Sequence, residues 1–178
     1  HDVLFELQQK SYEKKKNQVL ILPSPIVNYS GLTNTETFER YETLVKKLLQ
    51  ILSDLKMEVI VKLHPTQDPS VDFIKQSFQN FDKTIPIFQS TSLVDHLKSA
   101  STVIHIEPHG VGLSTSILES LILGIPTMNI VIKSKIHEFE CVKDNSILSI
   151  NDSDDIEKSV SNFLSNEPLR QNLLKNSK

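Results

Sequence analysis

STVIHIEPHGVGLSTSILESLILGIPTMNIVI, residues 101–132, decides the fold. Residues 101–106 read as a short apolar strand, and a loop holding Gly110 and Gly112 follows. An apolar helix then runs over residues 113–123 and closes at Gly124, which occupies the position that favours a left-handed cap. Residues 125–132 form the next strand, with Pro126 near its start, where a missing amide donor is tolerated. Strand, loop, helix and strand in this order make a unit whose two strands run parallel.

The same alternation extends in both directions. Upstream, residues 18–22 form a buried strand candidate stopped by Pro23 and Pro25, and a loop fills residues 28–34. From about Thr35, Phe38, Tyr41, Leu44, Val45, Leu48, Leu49, Leu52 and Leu55 fall at steps of three and four, one stripe along a helix of several turns. Residues 57–63 are strand-like and end at His64-Pro65; Asp68-Pro69 looks like a cap and first helical residue for a helix through Phe73, Ile74, Phe78 and Phe81. Residues 84–89 predict a third strand and residues 92–98 a short helix. Downstream, a loop leads to a sixth strand at residues 146–150. The acidic Asp152-Ser-Asp-Asp155 opens a helix carrying Ile156, Val160, Phe163 and Leu164. The expectation is an α/β fold: a Rossmann-like parallel sheet of about six strands with helices on both faces, over residues 18–178, preceded by a polar helix or arm at residues 1–17.

Composition bounds the function. A chain of 178 residues with 38% hydrophobic and 23% charged residues suits one domain with its own core, and no apolar run approaches the ~20 residues that cross a bilayer. With 19 basic against 22 acidic residues, a net charge of −3, a large cationic surface for nucleic acid is not expected. Cys141 is the one cysteine, which excludes an internal disulfide and a multi-cysteine zinc site and fits a reducing compartment, so the cytoplasm is the expected location. The chain opens at His1 with no basic-then-apolar leader, and is expected to be a segment of a longer protein that lacks an N-terminal half.

In a parallel sheet the loops after the first, second and fourth strands open on one edge, where ligands bind. Pro23-Ser24-Pro25, Lys62-Leu-His-Pro-Thr66 and the segment from Glu107 to Ser116 therefore converge. In the last, Gly110 and Gly112 let backbone approach a ligand, and Ser114, Thr115 and Ser116 stand at a helix start, which attracts anions. The competing reading is a capping box formed by Ser116 and Glu119. His64, held by Pro65, would donate to a phosphate or pack on a base, or be purely structural; Lys62 would face the same way or be solvated. Glu107 and His109 are the local candidates for an acid and base pair, against a packing or capping role. Cys141 with His137 has no specific spacing, and the G-x-x-x-x-G-K-[ST], G-x-G-x-x-G, H-E-x-x-H and G-x-S-x-G motifs are absent.

Leu118-Glu-Ser-Leu-Ile-Leu-Gly-Ile-Pro126 resembles the L-E-A-x-x-x-G-x-P segment of GT-B glycosyltransferases and the related non-hydrolysing UDP-N-acetylglucosamine 2-epimerases. Ser99-Ala-Ser-Thr-Val-Ile104 is similar to the strand before their phosphate loop, and residues 163–173 to their closing helices. His64-Pro65 with Ser114-Thr115-Ser116 resembles the H-P and S-T pairs of sialyl- and polysialyltransferases and of capsule or teichoic-acid polymerases that use CMP- or CDP-linked donors. The chain departs from the pattern at Val111, where an acidic residue often stands.

The resemblance implies the donor half of a GT-B enzyme making cell-surface glycan. Glu119 would be at the nucleotide ribose, and Ser24, His64, Pro65, Gly110, Gly112 and Ser114 to Ser116 at the nucleotide and its phosphates. It implies a nucleotide-linked donor as substrate and no other cofactor, an N-terminal acceptor domain as the missing partner, and peripheral placement of the parent protein at the inner membrane face. The rivals are a UDP-sugar 2-epimerase-like domain, in which Glu107 and His109 would move protons, and a non-catalytic nucleotide-binding module.

Overall fold

The computed structural model describes residues 15–26, 35–65, 69–108, 114–132, 136 and 139–177. Six strands form one sheet: β1 (Gln18–Pro23), β2 (Glu58–Lys62), β3 (Ile87–Phe88), β4 (Thr102–Glu107), β5 (Thr127–Val131) and β6 (Leu148–Asn151). Every pairing is parallel and the order is β3-β2-β1-β4-β5-β6. The chain therefore builds outward from β1 in one direction, then returns to β4 on its other side. The strand order reverses between β1 and β4, the place where open α/β sheets leave a crevice.

Helices cover both faces. On one side Val19, Ile21, Val61, Ile104, Ile106 and Ile130 pack against α1 (Thr35–Asp54), α2 (Val71–Gln79), α6 (Ile156–Ser165) and α7 (Glu167–Asn176). The stripe expected on α1 is this contact: Tyr41, Leu44, Val45, Leu48, Leu49 and Leu52 are buried, whereas Leu55, just past the helix end, is 39% exposed. On the other side Leu20, Leu22 and Val103 pack with Leu97 of α3 (Leu93–Ser99), Ala100 and Ile125. Ile117 of α4 (Thr115–Ile122) joins Cys141 of α5 (Glu140–Lys143) and Ile147 in a smaller cluster.

Element boundaries differ from expectation where polar side chains compete for backbone. β3 shrinks to two residues because Pro86 has no amide and Asp82 accepts from both the amide and the hydroxyl of Thr84, at 2.8 and 2.7 Å. In the same way Asp144 takes the Ser146 amide at 2.9 Å, so β6 begins at Leu148. α2 starts at Val71 rather than Pro69, behind a buried Ser70 whose hydroxyl accepts the Ile26 amide at 2.9 Å and so ties down the loop after β1. Asp68, the expected cap, lies outside the described residues, as do residues 1–14 of the expected arm. Residues 140–143, expected to be loop, make the single turn α5.

Other local expectations hold. Gly124 sits at φ +62° after α4, and Asp155 caps α6 by accepting the Lys158 amide at 3.1 Å. Asp152 instead forms a two-pronged pair with Arg40, at 2.7 and 2.6 Å, that joins α1 to the end of β6. Among the described residues no helix is long and apolar enough to cross a membrane.

Candidate functional site

The face of the sheet under α3 and α4 changes character along its length. Its amino half presents Leu20, Ile60 and Val103, all in the apolar cluster, and its carboxyl end presents Lys62, His105, Glu107 and Asn129, all 7% exposed or less. Above the polar end lies a cleft of about 260 Å³. Ser24 from the loop after β1, His64 and Pro65 from the loop after β2, and Ser114, Thr115, Ser116 and Glu119 from the start of α4 all line it. The three loops thus meet as expected, and Lys62, His105 and Thr91 line the same space. A larger, more open hollow of about 710 Å³ lies on the outer sides of α1 and α6 among Lys46, Lys47, Gln50 and Glu157, away from the sheet edge.

Lys62 carries the site's positive charge. Its Nζ donates to the carbonyls of Leu63 and Gln89 at 2.8 and 2.9 Å, and its burial pushes the ammonium below the usual lysine range. An ammonium has three donors, so one remains after these two bonds. Among the described residues no carboxylate pairs with it, and burial is what lowers its pKa. A desolvated cation at the wall of a cleft, with no counter-ion among the described residues, can receive an anion from outside.

At the start of α4, Ser114 occupies the cap position without a side-chain cap bond, and its hydroxyl instead meets that of Ser116 at 2.7 Å. The capping box of Ser116 and Glu119 does not form, because the helix begins before Ser116 and that residue lies inside its first turn. The Ile117 amide bonds the Ser114 carbonyl at 3.0 Å, and the amides ahead of it are those that helix geometry leaves without an intrahelical acceptor. One shared proton joins the two hydroxyls, so the pair retains one proton to give. Glu119, half-buried, has no hydrogen-bond partner for its carboxyl group among the described residues, and burial pushes its pKa up. One cleft therefore offers donors for an anion at one point and a bare carboxyl acceptor at another.

Glu107 does not line the cleft; it is buried and accepts from Asn129 Nδ2 at 3.4 Å. His109, Gly110 and Gly112 lie outside the described residues, as does His137. Cys141 is buried against Ile117 and Ile147, and burial pushes its thiol up, which removes the reactivity a nucleophile needs.

His105 and Asn129 were not anticipated. His105 Nε2 meets Ser24 Oγ at 3.1 Å and its Nδ1 meets Asn129 Oδ1 at 2.8 Å. Burial drives the ring down to about 4, the Asn129 contact opposing it, so the imidazole is neutral. A polar residue inside an otherwise apolar strand, as in Thr102–Glu107 and Thr127–Val131, was the available signal.

No protein-family model matches the sequence, and no curated protein does. Solved structures do. WaaG, a glycosyltransferase involved in lipopolysaccharide biosynthesis, aligns at 16% identity and TM-score 0.54 over 92% of this chain. A Listeria monocytogenes protein assigned as a UDP-N-acetylglucosamine 2-epimerase aligns at 12% and 0.60 over 98%, and the spinosyn forosaminyltransferase SpnP at 16% and 0.51 over 97%. The chain spans about two fifths of each, 42%, 42% and 40% of their lengths. At these identities the likeness is one of fold, and in fold this chain is one Rossmann-like half of a GT-B architecture.

Proposed function

We propose that this domain binds the nucleotide diphosphate of an activated sugar, as the donor half of a glycosyltransferase that builds cell-surface glycan. One observation carries the reading: a buried ammonium and a carboxyl group, both without an ion-pair partner among the described residues, share one cleft with a helix start that has no side-chain cap, at the switch point of a parallel sheet. The Ser114 and Ser116 hydroxyls, the first amides of α4 and Lys62 would hold the phosphates. Glu119 would accept from two vicinal ribose hydroxyls, and His64 would reach a phosphate or the edge of the base. Gly110 and Gly112 would bring the loop backbone close to the phosphates.

The same donors would stabilise the charge that builds on the leaving diphosphate as the glycosidic bond breaks, because they are already in place when it forms. The acceptor and the base that activates it would come from a second domain, with the parent protein in the cytoplasm, at the inner face of the membrane. The solved glycosyltransferases, more than twice as long as this chain, support a two-part architecture.

The rival epimerase reading needs an acid and a base beside the sugar, and Glu107 is committed to Asn129 and stands outside the cleft. Calorimetric titration with CMP, CDP, UDP and GDP tests the proposal. The expected result is sub-millimolar binding of at least one, weakened about tenfold or more by Ser114→Ala and by Glu119→Ala, as befits loss of a charge-assisted hydrogen bond. Absence of binding at millimolar concentration, with both substitutions altering stability alone, overturns it.

A further inference from the structure

Four side chains at the carboxyl end of β1, β4 and β5 form one line of hydrogen bonds that ends in the cleft. Glu107 Oε2 meets Asn129 Nδ2 at 3.4 Å, Asn129 Oδ1 meets His105 Nδ1 at 2.8 Å, and His105 Nε2 meets Ser24 Oγ at 3.1 Å. Glu107, Asn129 and His105 are 7, 5 and 2% exposed, so each must find its partners inside this line. The strands enforce it: Leu22, His105 and Asn129 are consecutive partners across β1, β4 and β5.

The direction of the protons in the line follows from the amide of Asn129, which turns its nitrogen to Glu107 and its oxygen to His105. An amide oxygen only accepts, so His105 carries its proton on Nδ1. In a neutral ring Nε2 is then bare, and the one group beside it that can donate is the Ser24 hydroxyl. Ser24 thereby spends its only proton inward.

We propose that Ser24 presents only lone pairs to the cleft, and therefore accepts a hydrogen bond from a hydroxyl or amine of the bound donor and stays off its phosphates. Glu107, Asn129 and His105 are positioning residues that set this polarity. A phosphate oxygen is an acceptor as well, and two acceptors with no proton between them repel. Among the parts of a nucleotide-sugar the candidates are the ribose or sugar hydroxyls and an exocyclic base amine. The ligand side of this assignment rests on the nucleotide-sugar reading above, and it moves Ser24 away from the phosphate role expected for its loop.

Ser24, His105 and Asn129 in another setting would be a nucleophile, its base and an orienting group. Here the ring is too weak a base for that use, since a general base works best with a pKa near the operating pH and this one lies at about 4.

Two measurements test the proposal. Nitrogen-15 spectra of the unliganded protein should show His105 with a protonated Nδ1 and a bare Nε2 near pH 7; an Nε2-protonated or tautomer-averaged ring overturns it. Calorimetry of wild type and Ser24→Ala should then be run with inorganic pyrophosphate, CDP, UDP and UDP-N-acetylglucosamine. Pyrophosphate binding should change less than twofold, while a nucleotide or nucleotide-sugar should lose about tenfold. Equal loss for pyrophosphate, or covalent labelling of Ser24 by a fluorophosphonate, overturns the assignment. If no nucleotide binds while the ring shows a bare Nε2, the nucleotide reading fails and the polarity of Ser24 stands.

Discussion

His105 should make this fold sensitive to mild acid in a way that one substitution removes. The ring is buried beneath the cleft, and its pKa falls from 6.5 in the open chain to about 4 in the folded protein. In between, the unfolded chain binds a proton that the native state refuses, so stability is full above pH 6.5 and is lost as pH falls toward 4. At about 1.4 kcal/mol for each tenfold change, the whole displacement amounts to about 3 kcal/mol, of which about 2 kcal/mol is lost between pH 7 and pH 5. Full burial leaves no solvent screening to reduce it. Urea unfolding followed by circular dichroism at pH 7, 6, 5 and 4.5, for wild type and His105→Gln, isolates this residue, because every other titration is common to both proteins. The variant should be less stable at pH 7, where it has lost a packed ring, and the gap should narrow by about 2 kcal/mol at pH 5. Curves that stay parallel across this range would show that the ring titrates normally in the native state, and the account of a neutral, locked imidazole would fail with them.

Three further outcomes follow from other parts of the structure. Lys62→Met should weaken nucleotide binding about 10- to 100-fold in calorimetry, the cost of a charge-assisted bond of about 1.5–3 kcal/mol; unchanged affinity would show that the ammonium does not meet the ligand. Tyr41→Phe should leave stability equal or raise it by up to about 1 kcal/mol in urea unfolding, since the buried hydroxyl has no partner among the described residues, and a clear loss would reveal one. Gly124→Ala should cost about 1–2 kcal/mol of unfolding free energy from the φ of +62° alone, because an added Cβ meets nothing within 4 Å; a neutral result would mean that the turn after α4 relaxes freely.

How far the sequence could be read depends on which forces act locally. The order of elements was legible because burial on both faces of a parallel sheet leaves apolar runs such as Val19-Leu-Ile-Leu22, and burial on one side leaves the stripe of α1. Ends were less legible, since Asp82, Asp144 and Ser70 take backbone amides for themselves and so stop or delay a strand or helix that hydrophobic pattern alone would extend. The cleft was legible at its rim: Ser24, His64, Pro65, Ser114, Thr115, Ser116 and Glu119 sit at strand ends and a helix start, positions whose chemistry is local. Its floor was not. His105 and Asn129 are 24 residues apart and become partners only when β4 and β5 pair in the one register that sets them side by side. A slip of one residue between the two strands would turn one of the pair toward the opposite face, among Ile104, Met128 and Ile130, and leave both without a partner. The polar line therefore helps to hold the register that creates it, and Ser24 inherits its orientation from that register rather than from its own loop.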